Sequence, residues 1–189
     1  MYKIIVSDTS PLITLAVANE LDVLLIPKIP IQIPDAVYIE ATRIKDAPGA
    51  NLIGDWINRN TDMVRVVFTQ TGIDQINRLE QHRPIRGMGE TAAIETLTIF
   101  SQLHPHDRAL LIFEDIDVAK RLAVLGDNAS IISTGELLRV LELERRIPSA
   151  ERILDKAAAT GRTVEKLRQD SLQNASARQE LREQLQTMR

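Results

Sequence analysis

The chain has 189 residues, with 23 Lys and Arg against 26 Asp and Glu for a net charge of −3, no cysteine and 3% aromatic residues. That length predicts one domain plus an appendage, with a core that needs neither disulfides nor thiolate–zinc sites. No run approaches the roughly 18 apolar residues of a membrane span, and the opening Met1-Tyr2-Lys3-Ile4-Ile5 lacks a signal-peptide layout, so a cytoplasmic location without a membrane is expected.

Lys3–Ser7 is a short β-branched run of the kind found in buried parallel strands. Ser10-Pro11 predicts a helix start, with Ser10 as the N-cap and Pro11 at the first helical position. A helical or turn segment follows over Leu21–Ile26, a second strand over Ile31–Ile33, and a helix from Pro34-Asp35 to about Arg43. Ala50–Arg59 reads as helix, Met63–Phe68 as a third strand, and Thr71 to about Arg83 as helix. Gly87-Met88-Gly89 precedes a long helix through Phe100. Ala109–Phe113 is the fourth strand, Val118–Leu125 a helix, and Ala129–Ile132 the fifth strand. Helices from Gly135, Ser149 and Thr163 complete the chain. Alternating strands and helices predict a three-layer α/β/α fold, its central and mostly parallel sheet built from about five strands. The expected division is a domain over 1–147 and a C-terminal helical extension over 148–189.

The charges divide unevenly. Residues 1–138 carry 12 basic and 18 acidic side chains, whereas 139–189 carry 11 and 8, giving an acidic body and a basic tail. Beyond Asp170 the tail turns rich in Gln, Arg and Glu with sparse apolar residues, a composition that predicts an exposed or partner-binding helix.

In an open parallel sheet, ligands bind beyond the carboxyl ends of the strands. Asp8 directly follows the first strand and Glu114-Asp115-Ile116-Asp117 the fourth. Glu90 opens the long helix, where the helix dipole favours a carboxylate, and Glu40 lies on the helix after the second strand. Carboxylates gathered in one pocket repel one another, and an oxygen-loving divalent cation relieves that repulsion. Such a site binds phosphate oxygens and activates water. Each acid also has a plainer role open to it: a helix-start residue for Asp8 and Glu90, a surface acid for Glu40, a cap for Asp117.

Ser7-Asp8-Thr9-Ser10-Pro11-Leu12-Ile13, Ile33-Pro34-Asp35-Ala36-Val37-Tyr38-Ile39-Glu40 and Gly89-Glu90-Thr91-Ala92-Ala93-Ile94 occur in that order. Together with Leu110-Leu111-Ile112-Phe113-Glu114-Asp115, Ser133-Thr134-Gly135 and Ile147-Pro148-Ser149, they resemble the PIN-domain family. The match is to the branch of toxin-like bacterial and archaeal nucleases that open Ser-Asp-Thr-Ser-Pro, and it spans about residues 3–160.

The resemblance implies a divalent-metal-dependent endoribonuclease, using Mg²⁺ or Mn²⁺ and a metal-activated water to hydrolyse RNA. It assigns Asp8, Glu40, Glu90 and Asp115 as catalytic, with Asp8 and Asp115 holding the metal most directly. Glu90 completes the metal site and Glu40 orients a water. Thr9 and Ser10 support a ligating carboxylate, and Glu114 and Asp117 stand beside the ligands, the choice among Glu114, Asp115 and Asp117 staying open. Arg86 is a candidate contact to the RNA backbone. The resemblance further implies a homodimer and the toxin role of a toxin–antitoxin pair, with an antitoxin protein as partner.

Four of the body's acids then belong to one metal pocket, so a net charge of −3 does not exclude RNA. The alternative is a PIN-like module that binds nucleic acid or protein without cleaving it. Other phosphate chemistries fit less well. No Gly-x-x-x-x-Gly-Lys-Ser/Thr loop occurs, and Ser10 stands where a haloacid-dehalogenase-type phosphatase carries its second acid. His82, His104 and His106 lie in polar, turn-like stretches.

Overall fold

A computed structural model describes residues 1–114, 127–169 and 175–188. Its strands are β1 (Tyr2–Ser7), β2 (Ile31–Pro34), β3 (Val64–Val67), β4 (Arg108–Phe113) and β5 (Ala129–Ser133). They form one sheet in the order β3-β2-β1-β4-β5, each neighbouring pair parallel. The described helices are α1 (Thr9–Val17), α2 (Asp35–Thr42), α3 (Ala50–Arg59), α4 (Gln70–Glu80), α5 (Met88–Leu103), α6 (Thr134–Leu143), α7 (Ala150–Ala159), α8 (Glu165–Gln169) and α9 (Ala175–Thr187), with a 3₁₀ turn over Leu21–Leu25. The helix expected over Val118–Leu125 lies outside the described residues, as do Asp115 and Asp117.

Both central strands are apolar at nearly every position because helices cover both faces of the sheet. Side chains alternate across a strand, and that alternation sorts them into two cores. Ile4, Val6, Ala109, Leu111 and Phe113 meet Ala93, Leu97 and Phe100 of α5. Ile5, Leu110 and Ile112 face the other way, onto Leu12 and Leu15 of α1, Ile53 and Trp56 of α3, Leu137 of α6 and Leu154 of α7. The result is the three-layer arrangement expected from the alternating elements. A register irregularity between Tyr2 and Ile4 puts Tyr2 in the larger core despite its even-numbered position.

Two local expectations change. The N-cap of α1 is Asp8 rather than Ser10, because Asp8 still has extended backbone (φ −76°, ψ 172°) and the helix begins at Thr9. Pro11 becomes the third helical residue, which costs nothing because the first four amides of a helix have no intrahelical acceptor.

The second change concerns the tail. The helix that composition marks as exposed buries Ala177, Leu181 and Leu185 in the larger core. Its sparse apolar residues recur every four positions and so form one narrow stripe on a helix. The Gln184 side chain accepts from Tyr2 N–H at 2.8 Å and donates to Tyr2 C=O at 3.2 Å, while Glu180 pairs with Arg108 at 3.0 Å. Both ends of the chain are thereby fastened to the start of the sheet. Among the described residues no helix is long and apolar enough to cross a membrane.

Candidate active site

The β1–β4 register aligns Ser7 with Ile112, and Asp8 N–H extends this pairing by donating to Ile112 C=O at 3.0 Å. The chain then turns directly into α1, which holds the Asp8 side chain at the carboxyl end of the sheet. Asp8 is 8% exposed. Burial pushes its carboxyl up to about 6; the Thr9 amide opposes the shift, and Glu40, Glu90 and Glu114 add to it. Carboxylates from three other segments therefore act on Asp8 here.

Glu40 is fixed from two sides. One carboxylate oxygen accepts from the Thr9 hydroxyl at 3.0 Å and the other from Gly89 N–H at 2.9 Å, in the first turn of α5. Its helix α2 is itself anchored at its start. There Asp35 accepts from Ala36 N–H at 2.9 Å and from the Thr69 hydroxyl at 2.7 Å, and Thr69 caps α4 by accepting from Gly72 N–H at 2.9 Å.

The two glycines ahead of Glu90 serve different ends. Gly87 is the N-cap of α5 with φ 77°, a left-handed conformation that side chains disfavour. Gly89 is needed for closeness: a Cβ there would stand 2.6 Å from Glu40 Oε2 and 2.8 Å from the Thr9 hydroxyl. Glu90 follows, half-buried, in the first turn of α5 where the helix dipole favours its charge.

Glu114 follows β4 and has both oxygens engaged. Oε1 accepts from the Thr134 hydroxyl at 2.9 Å, and Oε2 accepts from the Thr14 hydroxyl at 3.0 Å and Arg162 Nη2 at 3.1 Å. Arg162 also donates through Nε to Thr14 Oγ at 2.9 Å and through Nη2 to Ser10 C=O at 3.3 Å. Ser10 thus enters the network through its main-chain carbonyl, while Thr9 bonds Glu40 with its side chain.

Of the residues singled out in the sequence, Asp8, Glu40, Glu90, Glu114, Thr9 and Ser10 come together. Arg86 is exposed in the turn before α5, and His82, His104 and His106 are exposed as well. Thr14 and Arg162 belong to the site although no motif marked them, and Thr134 belongs to it from the Ser133-Thr134-Gly135 motif, to which no role was attached. Thr14 carried a faint signal, a polar residue on the apolar face of α1; Arg162 carried none, lying 48 residues from its carboxylate partner.

The gathered donors are carboxylate and hydroxyl oxygens, the ligand chemistry of hard divalent cations. Among the described residues no group of three or more His, Cys, Asp or Glu side chains is placed to hold an ion alone. Mg²⁺ commonly takes one or two carboxylates and keeps several waters, so the donor set present fits it.

A family model described as a PIN domain matches residues 4–177, which takes in β1 through the start of α9. No curated protein and no solved structure matches the chain.

Proposed function

The chain belongs to the PIN-domain family, whose members are generally nucleases and typically use divalent metals, and from that premise we propose that it is an endoribonuclease dependent on Mg²⁺ or Mn²⁺. The observation that carries this reading is Asp8: a carboxylate at the carboxyl end of the sheet, nearly buried, surrounded by Glu40, Glu90 and Glu114. Burying like charges together is costly unless a cation compensates them.

Asp8 and Glu90, with Asp115 from the segment outside the described residues, would hold the ion. When bound, the ion supplies positive charge to the phosphate and lowers the pKa of water for in-line attack. Glu40, locked by Thr9 and Gly89, presents a fixed carboxylate that orients the water. Glu114 serves the site from the side, where Thr14, Thr134 and Arg162 hold it. Arg86, exposed before α5, is assigned to the RNA backbone.

RNA as substrate, a homodimer, a cytoplasmic setting and the toxin role opposite an antitoxin are part of the same proposal. Their support is the Ser7-Asp8-Thr9-Ser10-Pro11 opening and the order of the other motifs. The test is cleavage of a structured RNA, with a DNA of the same sequence alongside, in the presence of Mn²⁺. Cleavage of the RNA that stops with chelator and in Asp8→Asn is expected. An Asp8→Asn protein that cuts as well as the wild type overturns the assignment.

A further inference from the structure

We propose that Arg162 is a positioning residue of this site: by clamping Glu114 against Thr14 and the first turn of α1, it keeps Glu114 out of the ion's coordination and offsets one negative charge of the cluster. The inference rests on the metal-nuclease reading above and concerns a residue outside the motifs of that reading.

The placement of Arg162 is built into the end of α7. Thr160 is the C-cap and Gly161 follows with φ 89°. Gly161 N–H donates to Ala158 C=O at 2.9 Å and Arg162 N–H to Ala157 C=O at 3.2 Å. These two bonds, with a left-handed glycine between cap and arginine, are those of a Schellman motif. The motif turns the chain back toward the sheet at Arg162, and Val164, two residues on, is fully buried. The Arg162 side chain is 28% exposed and that of Glu114 only 9%.

The donor count points the same way. A carboxylate oxygen has two lone pairs. Oε2 of Glu114 is filled by the Thr14 hydroxyl and Arg162, while Oε1 takes Thr134 and keeps one lone pair, so the clamp acts by fixing the carboxylate through Oε2. Thr14 spends its hydroxyl proton on Glu114 and accepts Nε of Arg162, which closes a three-membered ring of partners. Without Arg162, Oε2 regains a lone pair and the carboxylate a full charge at the edge of the cluster that Asp8 experiences. Glu114 is then free to turn toward an ion.

The test uses the full chain and measures Mn²⁺ affinity by calorimetry, melting temperature in chelator, and RNA cleavage. Arg162→Gln is expected to bind Mn²⁺ about tenfold more tightly and to cleave about tenfold more slowly, a magnitude in the range found for residues supporting metal ligands. Glu114→Gln, which removes the opposite charge at the same place, is expected to weaken binding by about tenfold. The double variant is expected to bind within about threefold of Glu114→Gln alone, because Arg162 acts through Glu114; independent residues would add and bring the affinity back to wild type, which overturns the clamp. Arg162→Lys keeps the charge but not the fork that joins Thr14, Ser10 and Glu114, so its Mn²⁺ affinity is expected to fall between those of wild type and Arg162→Gln. A merely structural Arg162 lowers the melting temperature and leaves Mn²⁺ affinity unchanged or weaker, an outcome that overturns the proposal. Should Arg162→Gln not fold, Glu114→Gln decides: a loss beyond about a hundredfold makes Glu114 a direct ligand and likewise overturns it. A wild-type chain that binds no Mn²⁺ overturns both this inference and the reading beneath it. Wild-type binding and cleavage with unaltered affinity in Arg162→Gln overturns this inference alone.

Discussion

Glu40 and Gly89, 49 residues apart in sequence, are in contact through a 2.9 Å hydrogen bond from the glycine amide, and any side chain at 89 would stand 2.6 Å from the other carboxylate oxygen. The carboxylate is therefore held by an amide that only glycine leaves accessible. Gly89→Ala is expected to displace Glu40 and lower RNA cleavage by about 100-fold, the scale on which catalytic groups respond to misplacement by an ångström. Melting temperature changes little by comparison, since alanine favours the helix by about 1 kcal/mol and offsets part of the strain. Steady-state cleavage measured with thermal melts separates the two effects.

Asp8 predicts an unusual pH dependence for the metal-free protein. Its folded-state value of about 6 lies above the roughly 3.9 of an exposed aspartate, so the folded chain holds a proton that the unfolded chain releases. Stability then falls as pH rises from about 4 to about 6, by an order-of-magnitude 3 kcal/mol, and stays low above that window. Asp8→Asn is expected to melt higher than the wild type at pH 7.5 in chelator and to match it near pH 4. Urea denaturation at the two pH values measures this directly.

Gly135, in the first turn of α6, has no room for a side chain because a Cβ would collide with the main-chain carbonyl of Leu167. The same carbonyl accepts from Arg139 Nη2 at 2.7 Å, so α8 is seated on α6 through backbone. Gly135→Ala is expected to destabilise the chain by about 1–3 kcal/mol, the cost of overpacking where the neighbour is main chain. Differential scanning calorimetry reads the loss, and an unchanged transition would contradict the seating.

Leu181 of α9 is fully buried in the larger core. Leu181→Ala is expected to cost about 2–5 kcal/mol, as for other buried leucines. A solvated tail predicts no change, so a denaturation curve distinguishes a core helix from a free arm.

Much of the architecture is legible in local pattern. Lys3–Ser7 and Ala109–Phe113 declare themselves as strands because a doubly covered sheet demands unbroken apolar runs, and both match the observed elements to within a residue. Asp8 and Glu114 stand out for the same reason, as charges placed directly where such runs stop. Ser10-Pro11 is a strong local start signal, yet the strand delivers the chain into the helix two residues earlier.

What the sequence determined by itself is the alternation of strands and helices and the acids at the strand ends, because each is written in short-range spacing, and the resemblance to the PIN-domain family, carried by the order of motifs along the chain. Tertiary structure alone decided that Glu40 rests on the amide of Gly89, that Arg162 reaches Glu114, and that a helix of mostly polar composition closes the core through Ala177, Leu181 and Leu185. These contacts join residues tens of positions apart. They depend on how helices pack onto a twisted sheet, and no local periodicity encodes which distant side chain arrives beside which carboxylate.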